Sequence, residues 1–458
     1  MATLFYTTDS IGSGTRIWLS GTNDLYVLAG VNIFSSDNCA IISQAAHQTI
    51  TIMGHVAGAW GISVYDYDDN TIIIGAGATI TASAYGIYAF SDGGVIFNHG
   101  TINAGYIGVR MSGDAVRFVN TGIVESNDAN NGPAVMVSSI SGAPETEALT
   151  INRGTFIGTT AYYGDYGFGD KLVNHGSIIG DIQQAGGNDI LLNRGGISGN
   201  VDAGADDDRV DNRGGLIDGD VHLGDGNDRF DNRGGTVFGA VSGDAGDDIF
   251  IGNPAMAEVF DGGAGSDLLN FRFGSAVRVA LDGSFENTGA ALGDVYTGFE
   301  RVQGSSFNDV IRGSSSANQL FGQDGNDRLD GAAGNDNLTG GLGTDTLAGG
   351  SGNDSFRFNS LAECGDVITD FRNVTGNDDR FVISSAGFGG GLSAGPLPAS
   401  AFLARADNLA QDADDRFIFR TTDQSLWFDA DGNGAGARVM VADLQAGATM
   451  TAADIILV

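Results

Sequence analysis

Along the first half of the chain, short apolar runs such as "TITIM" and "TIIIG" are rich in Ile, Val and Thr and bounded by Gly or Asn. Runs this short, with β-branched residues and turn formers at both ends, predict strands rather than helices. They come at regular intervals. Asn-x-Gly followed by a small, β-branched or aliphatic residue recurs at Asn98, Asn120, Asn152, Asn174, Asn193, Asn212 and Asn232, in steps of 22, 32, 22, 19, 19 and 20 residues. A second marker lies upstream, in "WGISV" at Gly61, "YGIYA" at Gly86 and "IGVRM" at Gly108. Some twenty residues per unit, each with short strands and polar turns, describe one coil of a parallel β-solenoid. Asparagine recurring at one turn is expected to stack into a hydrogen-bonded ladder.

The second half changes period. Asp309, Asn318, Asp327, Asp336, Asp345 and Asp354 follow one another at nine-residue steps, and Gly325, Gly334, Gly343 and Gly352 keep the same step. Leu329, Leu338, Leu347 and Phe356 take the apolar slot that should point inward. An isolated copy, "GGAGSDLLN", carries Asp267.

The text "GQDGNDRLDGAAGNDNLTGGLGTDTLAGGSGNDSF" resembles the RTX, or hemolysin-type, nonapeptide family. The first half, over roughly residues 20–250, resembles the right-handed β-helices of bacterial surface proteins and polysaccharide-active enzymes. The RTX resemblance implies calcium held in the turns. Calcium takes six to eight hard oxygens at about 2.3–2.6 Å, a mixture of carboxylates and carbonyls. Glycine is needed where such a turn takes positive φ and its carbonyls crowd the ion. Two nonapeptides make one coil, so a site joins turns eighteen residues apart. Asp309, Asp327 and Asp345 then line one side, and Asn318, Asp336 and Asp354 the other. Asn318 replaces the family's aspartate, so its site should be weak or empty.

The twenty-residue coils raise the same question. Asp189, Asp208, Asp228 and Asp248 each end a glycine-containing turn. Coils stack about 4.8 Å apart, and two carboxylates at that separation repel by roughly 3–4 kcal/mol at an effective dielectric near 20. These aspartates are therefore read as further calcium ligands; the alternative is that they splay into water or pair with Arg209 and Arg229.

After Phe358 the period stops. "CGDVITDFRNVTGNDDRFVIS" resembles the capping segment of serralysin-type proteins, which implies that Asp366, Asp370 and the pair Asp378–Asp379 close the last sites. "DADGNG" at Asp429 resembles the start of an EF-hand loop, but Met440 stands at its twelfth position and strands flank it, so a non-EF calcium turn or a hairpin is expected. The ending Asp454-Ile455-Ile456-Leu457-Val458 resembles an uncleaved type I secretion signal, in keeping with an N-terminus without a basic and then apolar leader.

Charge narrows the partners. The chain has 57 acids against 22 bases, a net charge of −35, and a single lysine, Lys171. That excess argues against nucleic acid and favours cations, while 42% hydrophobic residues suffice for a core. No apolar run approaches the ~18 residues of a membrane helix. Cys39 and Cys364 are read as free thiols. At free calcium ten times Kd each site contributes roughly 1.4 kcal/mol, so five or six would supply about 8 kcal/mol. The C-terminal half is therefore expected to stay unfolded in the cell and to fold outside.

Signals for catalysis are sparse. H-E-x-x-H is absent, and His47, His55, His99, His175 and His222 are scattered. The candidates for a polysaccharide lyase or epimerase are "YDYDDN" at 65–70 and "YYGDYGFGDK" at 162–171, with Lys171 as general base. Arg153, Arg194, Arg213 and Arg233 share a turn slot with His99 and His175 and are expected to neutralise Asp211 and Asp231. Trp60, Tyr85 and Tyr106 should stack along the solenoid.

The fold expected is all-β: a right-handed parallel β-helix at 1–255 continuing into an RTX parallel β-roll at 256–359, then a β-rich capping and secretion region at 360–458. The function expected is that of a secreted calcium-binding protein at the surface of a Gram-negative cell, structural or adhesive and non-enzymatic. Its partners would be calcium, the type I secretion machinery, further copies of itself in a layer or filament, or surface polysaccharide.

Overall fold

The computed structural model describes residues 2–21, 23–65, 68–128, 131–138, 148–164 and 167–458. Asp66 and Tyr67 of the first acidic cluster, and Asp165 and Tyr166 of the second, lie outside the described residues. The chain forms two compact units, Met1–Ile249 with Val259–Gly265, and Phe250–Glu258 with Ser266–Val458. Each is built on parallel strand ladders, and no described helix is long and apolar enough to cross a membrane.

The first unit is a parallel β-solenoid with three strands to most coils. Alternate residues of each strand point inward and stack coil upon coil. One interior column runs Leu25, Ile50, Ile72, Ile96, Phe118, Thr150, Leu172, Leu191, Val210 and Phe230. A second runs from Ile33 through Val56, Ile80, Ile102, Val124 and Phe156 to Ile178. A third includes Ile41, Ile62, Ile87, Val109 and Val135. All of these residues are buried.

The two sequence markers are the corners of the coils. Asn98, Asn120, Asn152, Asn174, Asn193, Asn212 and Asn232 are buried, and each Nδ2 donates to the Oδ1 of the next at 2.7–2.9 Å. In the first five repeats Oδ1 also accepts the N–H of the glycine two residues on. That glycine is required by proximity: a Cβ on Gly122, Gly154, Gly176 or Gly195 would sit 2.0–2.1 Å from a carbonyl oxygen of the coil before. At Gly61, Gly86 and Gly108 a Cβ would likewise meet a carbonyl oxygen at 2.4–2.5 Å, so this corner too is closed by the absence of a side chain.

In the second unit the coil shortens to two strands. One ladder stacks Leu269, Val302, Leu320, Leu338, Phe356, Phe381 and Ile455. The other stacks Val279, Ile311, Leu329, Leu347, Ile368 and Leu444. Both ladders continue past Phe358, where the nine-residue period has stopped. Arg380–Ile383 and Asp366–Ile368 add the next strands, and the last strand, Ile455–Leu457, pairs with Arg380–Ile383. The "DADGNG" stretch joins the antiparallel strands Ser425–Phe428 and Val439–Leu444, which makes it a hairpin connection.

Candidate metal sites in the turns

Counting back from each aspartate of the roll makes the turn's design visible. Two residues before it stand Gly325, Gly334, Gly343 and Gly352, all at φ between 122° and 142°. A Cβ at Gly343 or Gly352 would lie 1.7 or 1.6 Å from the carbonyl oxygen of Gly325 or Gly334 one coil earlier. Positive φ and close coil contact both require glycine here. Five residues before the aspartate stand Gly322, Gly331, Gly340 and Gly349. A Cβ on any of these would fall 2.2–2.3 Å from the aspartate's own Oδ2. The missing side chain is the space that the carboxylate occupies.

The two carboxylate oxygens have different surroundings. Oδ1 of Asp327, Asp345 and Asp366 accepts the N–H of the aspartate one coil earlier, at 2.7–2.9 Å. Oδ1 of Asp336, Asp354 and Asp379 accepts the N–H of Asn318, Asp336 and Asp354 in the same way, at 2.7–3.0 Å. Oδ2 of Asp327, Asp336, Asp345 and Asp354 is buried with no hydrogen-bond donor. An anionic oxygen cut off from water and from donors is costly, and an oxygen-seeking cation would satisfy all four.

The ends of the two columns are built differently. Asp309 receives N–H groups on both oxygens, from Val277 at 2.7 Å and Ser305 at 2.6 Å. Asn318 is also self-sufficient: Oδ1 accepts from Ser314 N–H at 2.7 Å and Nδ2 donates to the Glu300 carbonyl at 3.3 Å. At the far end Asp379 closes one column, taking the Arg372 N–H on Oδ2 at 2.8 Å. Asp378 does not share that position; it is exposed, and its own N–H donates to Asn353. Asp370 lies beside the column, with its two oxygens on the N–H groups of Gly349 and Gly350.

In the first unit Asp189, Asp208, Asp228 and Asp248 stack in the same manner, each Oδ1 accepting the N–H of the preceding column member at 2.5–2.8 Å. The column begins one coil before the sequence pattern suggests, at Asp170. Asp267, in the second unit, is buried and its N–H donates to Glu300 at 3.0 Å. Arg209 and Arg229 turn away from this column. With Arg194, Arg213 and Arg233 they surround Asp211 and Asp231, at 2.6–3.8 Å for the nearest pairs.

Burial dominates the electrostatics. It lifts the Asp327, Asp336 and Asp379 carboxyls to about 7 and Asp366 to about 8, against the partial relief of their backbone donors. Asp309, Asp345 and Asp354 move in the same direction. Burial also takes Asp189 to about 10, Asp208 to about 8 and Asp228 to about 6. Asp211 goes the other way: burial would raise it, but bonds from Arg213 and Arg194 outweigh that.

Among the described residues, no three His, Cys, Asp or Glu side chains gather around one point. A cation in these turns would therefore draw most of its oxygens from backbone carbonyls. That donor set, with one or two carboxylates, suits calcium rather than a soft metal. Elsewhere, His99 bonds the Thr121 hydroxyl at 2.7 Å, as a turn residue should. Trp60, Tyr85 and Tyr106 form a column along the solenoid, with ring centroids 4.6 and 5.4 Å apart; the first pair is tilted and the second edge-to-face rather than stacked. Cys39 and Cys364 are free thiols.

The RTX calcium-binding nonapeptide repeat (4 copies) matches at residues 296–329 and 321–356. Among solved structures, the chain is similar to the AlgE6R3 subunit of the Azotobacter vinelandii mannuronan C5-epimerase. The two share 30% identity over 33% of this chain and 80% of that one, with a TM-score of 0.24. No curated protein matches. The matched residues are the turns in which glycines clear the way for a stacked, buried aspartate, and the chain carries RTX calcium-binding nonapeptide repeats there, on a parallel β-solenoid.

Proposed function

We propose that this is a calcium-dependent protein of the outer surface of a Gram-negative cell, exported by the type I route and serving a structural or adhesive role. One observation carries the reading. Four buried Oδ2 atoms at Asp327, Asp336, Asp345 and Asp354 have no donor, inside the span that matches the calcium repeat. Calcium supplied outside the cell, where such modules bind in the ~0.1–1 mM range, completes these turns. The terminal strand fits this order of events. Ile455 and Leu457 are buried against Arg380–Ile383, so this strand is open to an export machinery only before the second unit folds.

A polysaccharide lyase or epimerase is the alternative. Its one basic candidate, Lys171, stands in its ladder between Leu149 and Ile190, neither of which can exchange a proton. Electron microscopy and sedimentation of the purified chain, in chelator and in millimolar calcium, test the structural reading. Ordered layers or filaments that form in calcium and dissolve in chelator support it. Separate rods together with turnover of a polysaccharide that Lys171→Ala abolishes would establish the enzyme instead.

A further inference from the structure

The aspartate column of the first unit lies outside the residues that match the nonapeptide repeat. Asp189, Asp208 and Asp228 are nonetheless 1%, 4% and 1% exposed, and the Oδ2 of each has no hydrogen-bond donor. The basic groups nearest in sequence do not relieve them, because Arg209 and Arg229 reach Asp211 and Asp231 at 3.0 and 3.8 Å.

The backbone leading into these aspartates repeats that of the roll, although the coil is about two residues longer. Four residues before the aspartate, φ is 75° at Ala185, 113° at Gly204 and 105° at Gly224; in the roll it is 86° at Gln323, 74° at Ala332, 108° at Gly341 and 97° at Gly350. Two residues before it, φ is 94° at Gly187, 77° at Asp206 and 155° at Gly226. The coil-to-coil approach also matches. A Cβ at Gly224 would lie 1.8 Å from the Gly204 oxygen, as one at Gly341 would from the Gln323 oxygen. The turns thus share backbone conformation and close coil-to-coil contact with those of the roll, beside the same kind of stranded carboxylate oxygen.

One position differs. Five residues before the aspartate the roll has glycine, whereas the first unit has buried Gln184, Ala203 and Leu223. A side chain there crowds the carboxylate and removes part of the open face beside it.

From these features we propose that Asp189, Asp208 and Asp228 form a second column of calcium sites, in the twenty-residue coils, that fills at higher free calcium than the roll. This rests on reading the roll's turns as calcium sites. Hydrogen exchange on the full chain, titrated from chelator into calcium at pH 7.5, separates the two claims. Residues 319–358 should gain protection first and residues 185–250 in a second step, at free calcium on the order of tenfold higher. Asp208→Asn should abolish the second step and leave the first. Asp228→Asn serves as the second variant should the first not fold. Equal protection of 185–250 in chelator and calcium, with 319–358 responding, would overturn this proposal alone; so would a second step that neither substitution moves. A chain in which neither segment responds would overturn the proposed function as well.

Discussion

Asp336→Asn should stabilise the protein in chelator and destabilise it in calcium. Burial holds the Asp336 carboxyl at about 7 in the folded chain, against about 3.9 unfolded. A raised carboxylate contributes stability that is complete below the unfolded value and is lost as pH rises through the folded one. Over roughly three pH units, at 1.36 kcal/mol each, the loss is on the order of 4 kcal/mol by pH 8. Asparagine removes that charge and keeps the Oδ1 that accepts the Asn318 N–H. Its Nδ2 then takes the place of Oδ2 beside Gly331, the oxygen that has no donor in the folded chain. In calcium the sign reverses: at a hundred times Kd a filled site contributes about 2.7 kcal/mol, which the variant forfeits. Urea unfolding of parent and variant at pH 8, in chelator and in saturating calcium, measures both halves. A variant that is destabilised by the same amount in both media would refute the reasoning, because Asp336 would then be an ordinary buried hydrogen-bonding residue.

Three further outcomes follow from the geometry. Without calcium the second unit should be more stable at pH 5 than at pH 8, and calcium binding near pH 7 should release protons, since Asp327, Asp336, Asp366 and Asp379 titrate at about 7–8; calorimetry in buffers of different ionisation enthalpy reads the release. Gly343→Ala places a Cβ 1.7 Å from the Gly325 oxygen at a φ of 142° and should cost on the order of 3 kcal/mol or more, whereas Gly196→Ala, with nothing within 4 Å, should change the unfolding midpoint little. Asn152→Ala interrupts the ladder between Asn120 and Asn174 and strands buried polar groups, so it should cost about 2–4 kcal/mol, while Asn127→Ala, on the exposed side, serves as the neutral control in thermal unfolding.

Much of this was readable from spacing alone, because a solenoid repeats one local environment and each special position must be filled in every coil. Asn-x-Gly reported a hydrogen-bonded corner followed by a contact too close for a side chain, and the nine-residue step reported the inward Leu329, Leu338, Leu347 and Phe356. Legibility failed where the ladder continues without the period. Between Asp354 and Asp379 the column skips 25 residues instead of eighteen, so nothing in the spacing chose Asp379 over its neighbour Asp378. The first column member, Asp170, was hidden for a related reason: it precedes the run of recognisable turns and has only its nineteen-residue step to Asp189 to mark it. Spacing was equally blind to satisfaction. Asp309 and Asp327 occupy equivalent positions, yet only the structure shows that Ser305 supplies Asp309 with the donor that Asp327 lacks.

A crystal structure of the chain grown in calcium, with anomalous data to identify the ion, would locate the cation directly. It should show calcium about 2.3–2.6 Å from Oδ2 of Asp327, Asp336, Asp345 and Asp354, with backbone carbonyls of the turns completing each shell. Aspartates that keep their present surroundings at saturating calcium, with no ion between the coils, would contradict the calcium reading of these turns.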